Sequence, residues 1–142
     1  AWQDLRQLVQ GQLLAVLGTD CEGHPYTSLV AFAITPDWRH ALFATTRATR
    51  KYRNLERNPR LSLLIDNRSN SAADFHTAMA ATALGVIVHP EQDELEMMLG
   101  LFLEHHPHLR DFVRAPSCSL LCMKVQSYYL VRRFQHVIEL IP

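Results

Sequence analysis

Cysteine is scarce. Cys21, Cys118 and Cys122 are the three in a chain of 142 residues. An odd, low count argues against a disulfide framework and fits a reducing compartment. If Cys118 and Cys122 lie on a strand, they share a face but sit roughly 13 Å apart, too far to bridge or to hold one metal together. A buried, structural role is expected for all three. Excess charge is also lacking, with fourteen Lys and Arg against fourteen Asp and Glu. That balance offers no general surface for polyanions. No apolar run reaches the roughly 20 residues of a membrane-spanning helix. The first residues, Ala1-Trp2-Gln3-Asp4-Leu5, lack the basic-then-apolar layout of a signal peptide. The missing initiator Met reads as trimming, and a cytoplasmic protein is expected. The five glycines form neither a dinucleotide fingerprint nor a phosphate-binding loop of the Walker type. No serine stands in a Gly-x-Ser-x-Gly elbow, so a hydrolase triad has no support.

What is present is 48% apolar residues, enough for one compact domain over residues 1–142. Apolar groups at Trp2, Leu5, Leu8 and Val9 have helical spacing, and Gly11 ends that helix. Residues 13–17 and 26–34 read as the strands of a hairpin, turned at 20–23. Residues 41–45 read as a third strand. Thr49 caps a helix from Arg50 to about Arg57, and Pro59 stops it. Strand follows at 61–65, a polar loop at 66–74 and a long apolar strand at 79–88. A helix over 90–103 carries acids in its first turn and a buried stripe. A short helix at 109–113 and strands at 119–131 and 137–141 complete the chain. Most connections are too short for parallel crossovers, so the expected fold is an α+β, largely antiparallel, closed sheet. Met97 and Met98 read as core, and Trp2 and Trp38 as packing or dimer-contact residues.

The segment richest in chemistry is Thr45-Thr46-Arg47-Ala48-Thr49-Arg50-Lys51-Tyr52-Arg53. Four cations gather there, and two of them open the predicted helix, where the helix dipole is already positive. That placement is locally unfavourable unless an anion sits beside it. A phosphate there would collect backbone N–H groups, threonine hydroxyls and charge-assisted bonds. The alternative is a solvated basic helix face. The segment, together with Leu42-Phe43-Ala44 before it and Asn54-Leu55, then Asn58-Pro59-Arg60-Leu61-Ser62-Leu63-Leu64-Ile65 after it, resembles the flavin-binding split barrels of the pyridoxamine 5′-phosphate oxidase type. So does Tyr128-Tyr129-Leu130-Val131-Arg132-Arg133-Phe134. The resemblance runs from about Gly11 to Ile141.

It implies a mostly antiparallel, six- to seven-stranded split β-barrel with a few short peripheral helices. It implies bound FMN in a homodimer, with the flavin site at the subunit interface and a small-molecule redox substrate. Arg50 and Lys51 would hold the phosphate, with a hydroxyl from Thr45, Thr46 or Thr49. Ser28, Leu29 and Val30 would line the ring, largely through backbone groups, and Asn67 would reach the ring or ribityl chain. Arg133 or Phe134 would close the site from the partner. The chain departs from the vitamin oxidases twice. Ser28 replaces a basic flavin-contacting residue, and no basic, histidine-containing segment follows Pro142. An FMN-dependent oxidoreductase of another substrate is therefore expected, with catalytic residues unassigned. A non-catalytic flavin module and a haem-binding or haem-degrading protein stay open, the latter with His105, His106, His108 or His136 as axial ligand. No metal site is expected, because the histidines lack a carboxylate or Cys at ligand spacing. Nucleic acid is not an expected partner.

Overall fold

Alternating burial along the apolar runs gives each strand one face that must be covered, and the chain covers it by rolling the sheet on itself. The computed structural model describes residues 1–133 and 135–142. The order is α1 (Trp2–Gly11), β1 (Leu14–Cys21), β2 (His24–Ile34), β3 (His40–Thr46), α2 (Arg50–Arg57), β4 (Arg60–Asp66), α3 (Asp74–Thr77), β5 (Met79–Val88), α4 (Gln92–His105), α5 (Arg110–Arg114), β6 (Cys118–Arg132) and β7 (His136–Leu140). The sheet order is β3-β2-β1-β4-β5-β6-β7, and β3 also pairs with β6. Six strands thus close an antiparallel barrel, and β7 hangs on β6 outside the ring. The fold is the expected α+β barrel.

The ring is split on one side. β2 pairs with β1 from His24 to Ala31, yet β3 meets β2 only at Phe32, Ala33 and Ile34. The later part of β3 leaves β2 while staying on β6, where Thr45 and Thr46 pair with Ser119 and Cys118. Among the described residues, the outer edge of β2 over 24–31 therefore has no strand partner.

Two cores result. Leu17, Phe32, Phe43, Leu63, Ile65, Tyr128 and Leu130 fill the barrel, with Leu5 and Leu8 of α1 packed among them. Trp2 and Trp38 pack on the Tyr128 ring, with centroids 6.2 and 6.1 Å away, and the Tyr128 hydroxyl donates to the Trp38 carbonyl at 2.7 Å. The second core lies outside the ring, where Met98, Phe102 and Val113 cover Leu42, Ala44, Cys118 and Cys122. Burial pushes the Cys122 thiol up to about 11, so it is an inert apolar group near neutral pH.

Several boundaries differ from the sequence reading. β1 and β2 run to a two-residue turn at Glu22 and Gly23, with φ of 52° and 89°. Both residues are left-handed, as the tightest hairpins require. Asp20 accepts the Gly23 N–H at 2.9 Å and sits within β1, not in the turn. The 66–74 loop leads into the single turn α3. Asp74 there accepts N–H groups of Ser69, Asn70 and Ser71. Those bonds, Ser69 first, hold its carboxyl below the usual carboxylate range. On α4, Met98 is core but Met97 is 62% exposed. One helical step is about 100°, enough to carry Met97 off the stripe formed by Met98 and Phe102.

β5 and β6 slip register where Leu84 faces Ser127 and Gly85 faces Val125. A Cβ on Gly85 would stand 2.1 Å from the Lys124 carbonyl oxygen. Gly85→Ala should therefore cost about 2 kcal/mol or more, because backbone must move. Gly100→Ala, on α4 with nothing within 4 Å, should stabilise by about 0.5–1 kcal/mol. Denaturant midpoints measured on both variants check the opposite signs.

Candidate functional site

α2 is almost devoid of apolar residues, so it cannot be held by hydrophobic burial alone. Leu55 is its one buried apolar side chain. Its other contacts to the β1–β2 hairpin are polar and follow helical spacing. Arg50 donates to Cys21 Sγ at 3.6 Å and lies over the Tyr26 ring, 6.0 Å from its centroid. Asn54, buried, donates to Thr19 Oγ1 at 3.1 Å. Arg57 pairs with Glu22 at 3.0 Å, and Asn58 donates to Asp20 at 3.4 Å. The Arg57–Glu22 pair is exposed and contributes little. The Asn54–Thr19 bond is buried, and leaving either partner unpaired there would cost about 1–3 kcal/mol.

The N-terminus of α2 is fixed from the other side. Thr49 Oγ1 accepts the Tyr52 N–H at 3.3 Å, the expected cap. Thr49 Oγ1 also lies 3.0 Å from Thr45 Oγ1, and each hydroxyl reaches the Thr46 carbonyl. Thr45 is buried. The hydroxyls of Thr45 and Thr49 thus lock the turn between β3 and α2. Of the three threonines, Thr46 alone has a hydroxyl without a partner among the described residues. Arg47 is not part of an open cationic patch. Its guanidinium donates to the carbonyls of Pro116 and Cys118 and to Ser119 Oγ, which clamps the end of β3 to the start of β6.

This arrangement delivers two cations, Arg50 and Lys51, to the split. Lys51 Nζ donates to the Leu29 carbonyl at 3.5 Å, on the unpaired edge of β2. The ion pairs of the described residues are Arg57–Glu22, Arg68–Asp66 and Arg132–Asp4. Arg50, Lys51 and Arg53 therefore have no carboxylate partner among them. Ser28 pairs with Leu17 across the hairpin, so its side chain points to the barrel side. Thr19 points the same way and meets α2. Ser28 Oγ is buried and has no hydrogen-bond partner among the described residues. A buried hydroxyl without a partner is rare enough to require an explanation.

The residues expected to form a site are thus mostly brought together. Ser28, Leu29, Val30, Thr45, Thr46, Thr49, Arg50 and Lys51 all flank the split. Val30 is buried, whereas Leu29 faces outward and is 62% exposed. Leu29 lines a cleft of about 430 Å³ with Leu13, Leu14, Val16 and Leu64. Asn67 stands apart, beyond the end of β4. Its side-chain oxygen accepts the Met79 N–H at 2.7 Å and holds the start of β5. Arg133 is exposed in the β6–β7 turn, and Phe134 lies outside the described residues.

The histidines are placed by backbone carbonyls. His105 Nε2 lies 2.9 Å from the Gln12 carbonyl, and His106 Nε2 lies 2.6 Å from that of Phe32. Both nitrogens must carry hydrogen to make these bonds, which removes them from ligation. The polar seam of α2 was missed by the sequence reading. The signal was present in Arg50, Asn54, Arg57 and Asn58, one polar stripe on a helix otherwise read only for its charge.

A model of the family described as pyridoxamine 5′-phosphate oxidase matches residues 1–132. None of the curated proteins matches the chain. Among solved structures, a heme binding protein from Mycobacterium smegmatis superposes with a TM-score of 0.84 at 21% identity, over 96% of this chain and 55% of its own. ChuZ from Campylobacter jejuni gives 0.78 at 12% identity, over 99% of this chain and 58% of its own. A FAD-binding protein from Mesorhizobium loti gives 0.70 at 13% identity, over 92% and 91%. At such identities the likeness is one of fold. The chain spans little more than half the length of the first two.

His106 is 1% exposed. Burial lowers its pKa below the ordinary 6.5, against the bond to Phe32, and the neighbouring His105 and His108 lower it further. The unfolded chain therefore takes the proton first. This contribution to stability is complete above pH 6.5 and is lost as the pH falls below it. In denaturant titrations between neutral and acid pH, His106→Gln should show a shallower loss of stability with acidification than the parent. Equal slopes would remove the assignment.

Proposed function

Because the chain belongs to the pyridoxamine 5′-phosphate oxidase family, we propose that it binds FMN at the split between α2 and the free edge of β2 and acts as a flavin-dependent oxidoreductase. The observation that carries this reading is the set of cations without carboxylate partners at the start of α2. Arg50 and Lys51 would hold the phosphate there, where the helix dipole adds to their charge. The Thr46 hydroxyl is available to the same group. Thr45 and Thr49 would act by fixing the turn that presents the cations.

The residues beside the cations suit the rest of the cofactor. The open edge of β2 offers backbone N–H and C=O groups at residues 28–30, as a flat polar ring edge requires. Ser28 Oγ would gain the partner it lacks. Asn67 would contribute only through its amide nitrogen or a neighbouring backbone group, since its oxygen holds β5. Hydride or electron transfer is the chemistry FMN would supply. The protein's share is to orient the ring and exclude water.

A homodimer completes the proposal. Leu13, Leu14 and Leu29 are each more than half exposed on the outside of the barrel, beside the cleft they share with Val16 and Leu64. A second copy would bury these rows and cover the open side of the split.

The purified protein should be yellow and should release FMN identifiable by mass. Replacing Arg50 and Lys51 together with Ala should weaken FMN on the order of 100-fold, from two charge-assisted bonds. Riboflavin, which lacks the phosphate, should bind both forms alike in a fluorescence titration. A protein that ignores added FMN, or an equal loss for both ligands, would overturn the reading. A Soret band that disappears with His136→Ala would transfer the site to haem, the ligand in the name of the mycobacterial relative. Bound FMN that no nicotinamide donor reduces would leave a flavin carrier without turnover.

A further inference from the structure

The face of α2 turned away from the hairpin carries a different set of groups. Tyr52, Leu55 and Glu56 follow at steps of three and four residues and continue into Pro59, so they form one stripe. Arg50, Asn54 and Arg57 form the opposite stripe, on the hairpin. Across from the first stripe stand Ile87 of β5, His89 just after it and Leu121 of β6, and the two walls enclose a cavity of about 410 Å³. The Ile87 N–H donates to the Pro59 carbonyl at 2.8 Å and joins the walls at one end. Leu55 is buried, and Ile87 and Leu121 pack on the barrel core. The floor of the cavity is therefore apolar and continuous with that core.

Three polar groups converge on this floor without internal partners. Glu56 is the single acid of a helix that carries four cations. Arg53 precedes it by three residues, a spacing at which helical ion pairs form. Yet no cation pairs with Glu56 among the described residues. Arg57 is drawn instead to Glu22, and Arg60 to the Asn58 side chain. Glu56 is the one carboxylate in the lining, and neither Lys nor Arg lines the cavity with it. The Tyr52 hydroxyl and the His89 ring also lack hydrogen-bond partners among the described residues.

We infer that this cavity binds a small organic amine, its ammonium group on Glu56 and its apolar body on Leu55, Ile87 and Leu121. A carboxylate gives an ammonium a charge-assisted acceptor. Tyr52, one helical turn before Glu56, offers the same cation the negative face of its ring. The Tyr52 hydroxyl and His89 add polar contacts at the rim. An anionic ligand would meet Glu56 and find no cation in the lining. The volume falls within the roughly 300–1,000 Å³ of small-molecule pockets, which are mostly apolar with a few convergent polar groups. Because this stripe faces away from the cationic cradle, the proposal is independent of whether the cradle holds FMN.

The test is a titration of the isotope-labelled full chain near neutral pH with phenethylamine and, separately, with 3-phenylpropionate, ionic strength being held by sodium chloride. The two probes share an apolar body and differ in the sign of their charge. The amides of Glu56, Ile87, His89 and Leu121 should shift and saturate with phenethylamine, at concentrations where 3-phenylpropionate leaves them unmoved. Glu56 is exposed, so Glu56→Gln should keep the melting temperature of the parent while phenethylamine binding weakens roughly tenfold or more. Tyr52→Leu, which keeps the apolar wall and removes the ring, should weaken it severalfold. Four results would overturn the proposal: no saturation with phenethylamine, equal saturation by 3-phenylpropionate, undiminished binding in Glu56→Gln, or shifts confined to Arg50, Lys51 and the edge of β2.

Discussion

The pairing of β3 with β6 is the contact on which the rest depends. It closes the ring over seven residue pairs, from His40–Lys124 to Thr46–Cys118. Because β3 follows β6, it must leave β2 after three pairs. The barrel therefore splits on that side, and α2 starts at the mouth of the split. Arg47 secures the junction by donating to the backbone that leads into β6. The candidate site is thus a by-product of closure. The strand that completes the ring also bares the edge of its neighbour and sets a cationic helix end beside it.

Holding such a helix requires contacts that do not neutralise it. Acidic partners for Arg50, Lys51 and Arg53 would anchor α2 and remove the charge at the same stroke. The structure instead uses neutral donors and acceptors, Asn54 to Thr19 and the threonine turn at 45–49. Among the described residues, carboxylates engage the helix only at its far end, through Glu22 with Arg57 and Asp20 with Asn58. The first turn keeps its positive field while the last turn is tied down. This polarity suits the anion proposed for the site, and the buried Ser28 hydroxyl adds a polar group with no partner among the described residues.

The legible parts of the chain were those governed by local rules. The Thr49 cap and the Pro59 stop bound α2 at the observed residues, and the apolar run of β5 was read as Met79–Val88. What local reading could not supply came from contacts distant in sequence. Asp20 and Cys21 were read as part of the turn, but they belong to β1, where α2 and Asn58 engage Thr19 and Asp20. Arg47 read as one more cation, since the carbonyls that bind it lie about seventy residues later. Asn67 likewise meets Met79, twelve residues on, while Thr45 is bound by its near neighbours Thr46 and Thr49. Their types suggested ligand contacts, while their neighbours in space had already claimed the oxygen atoms. Most of the residues expected at a site flank the split, and the bonds that Thr45, Arg47 and Asn67 make within the chain were not foreseen.

The length of β6 has a consequence for synthesis. This one strand borders β3, β5 and β7, and it begins at Cys118, in the last fifth of the chain. While the polypeptide emerges from a ribosome, the earlier hairpins can form but neither open end of the sheet can be sealed. Loop closure across so many residues is slow, and exposed edges invite pairing with other chains. The nascent protein is therefore most vulnerable to self-association in the interval before its C-terminal strands are released, and a chaperone that shields strand edges would matter most there.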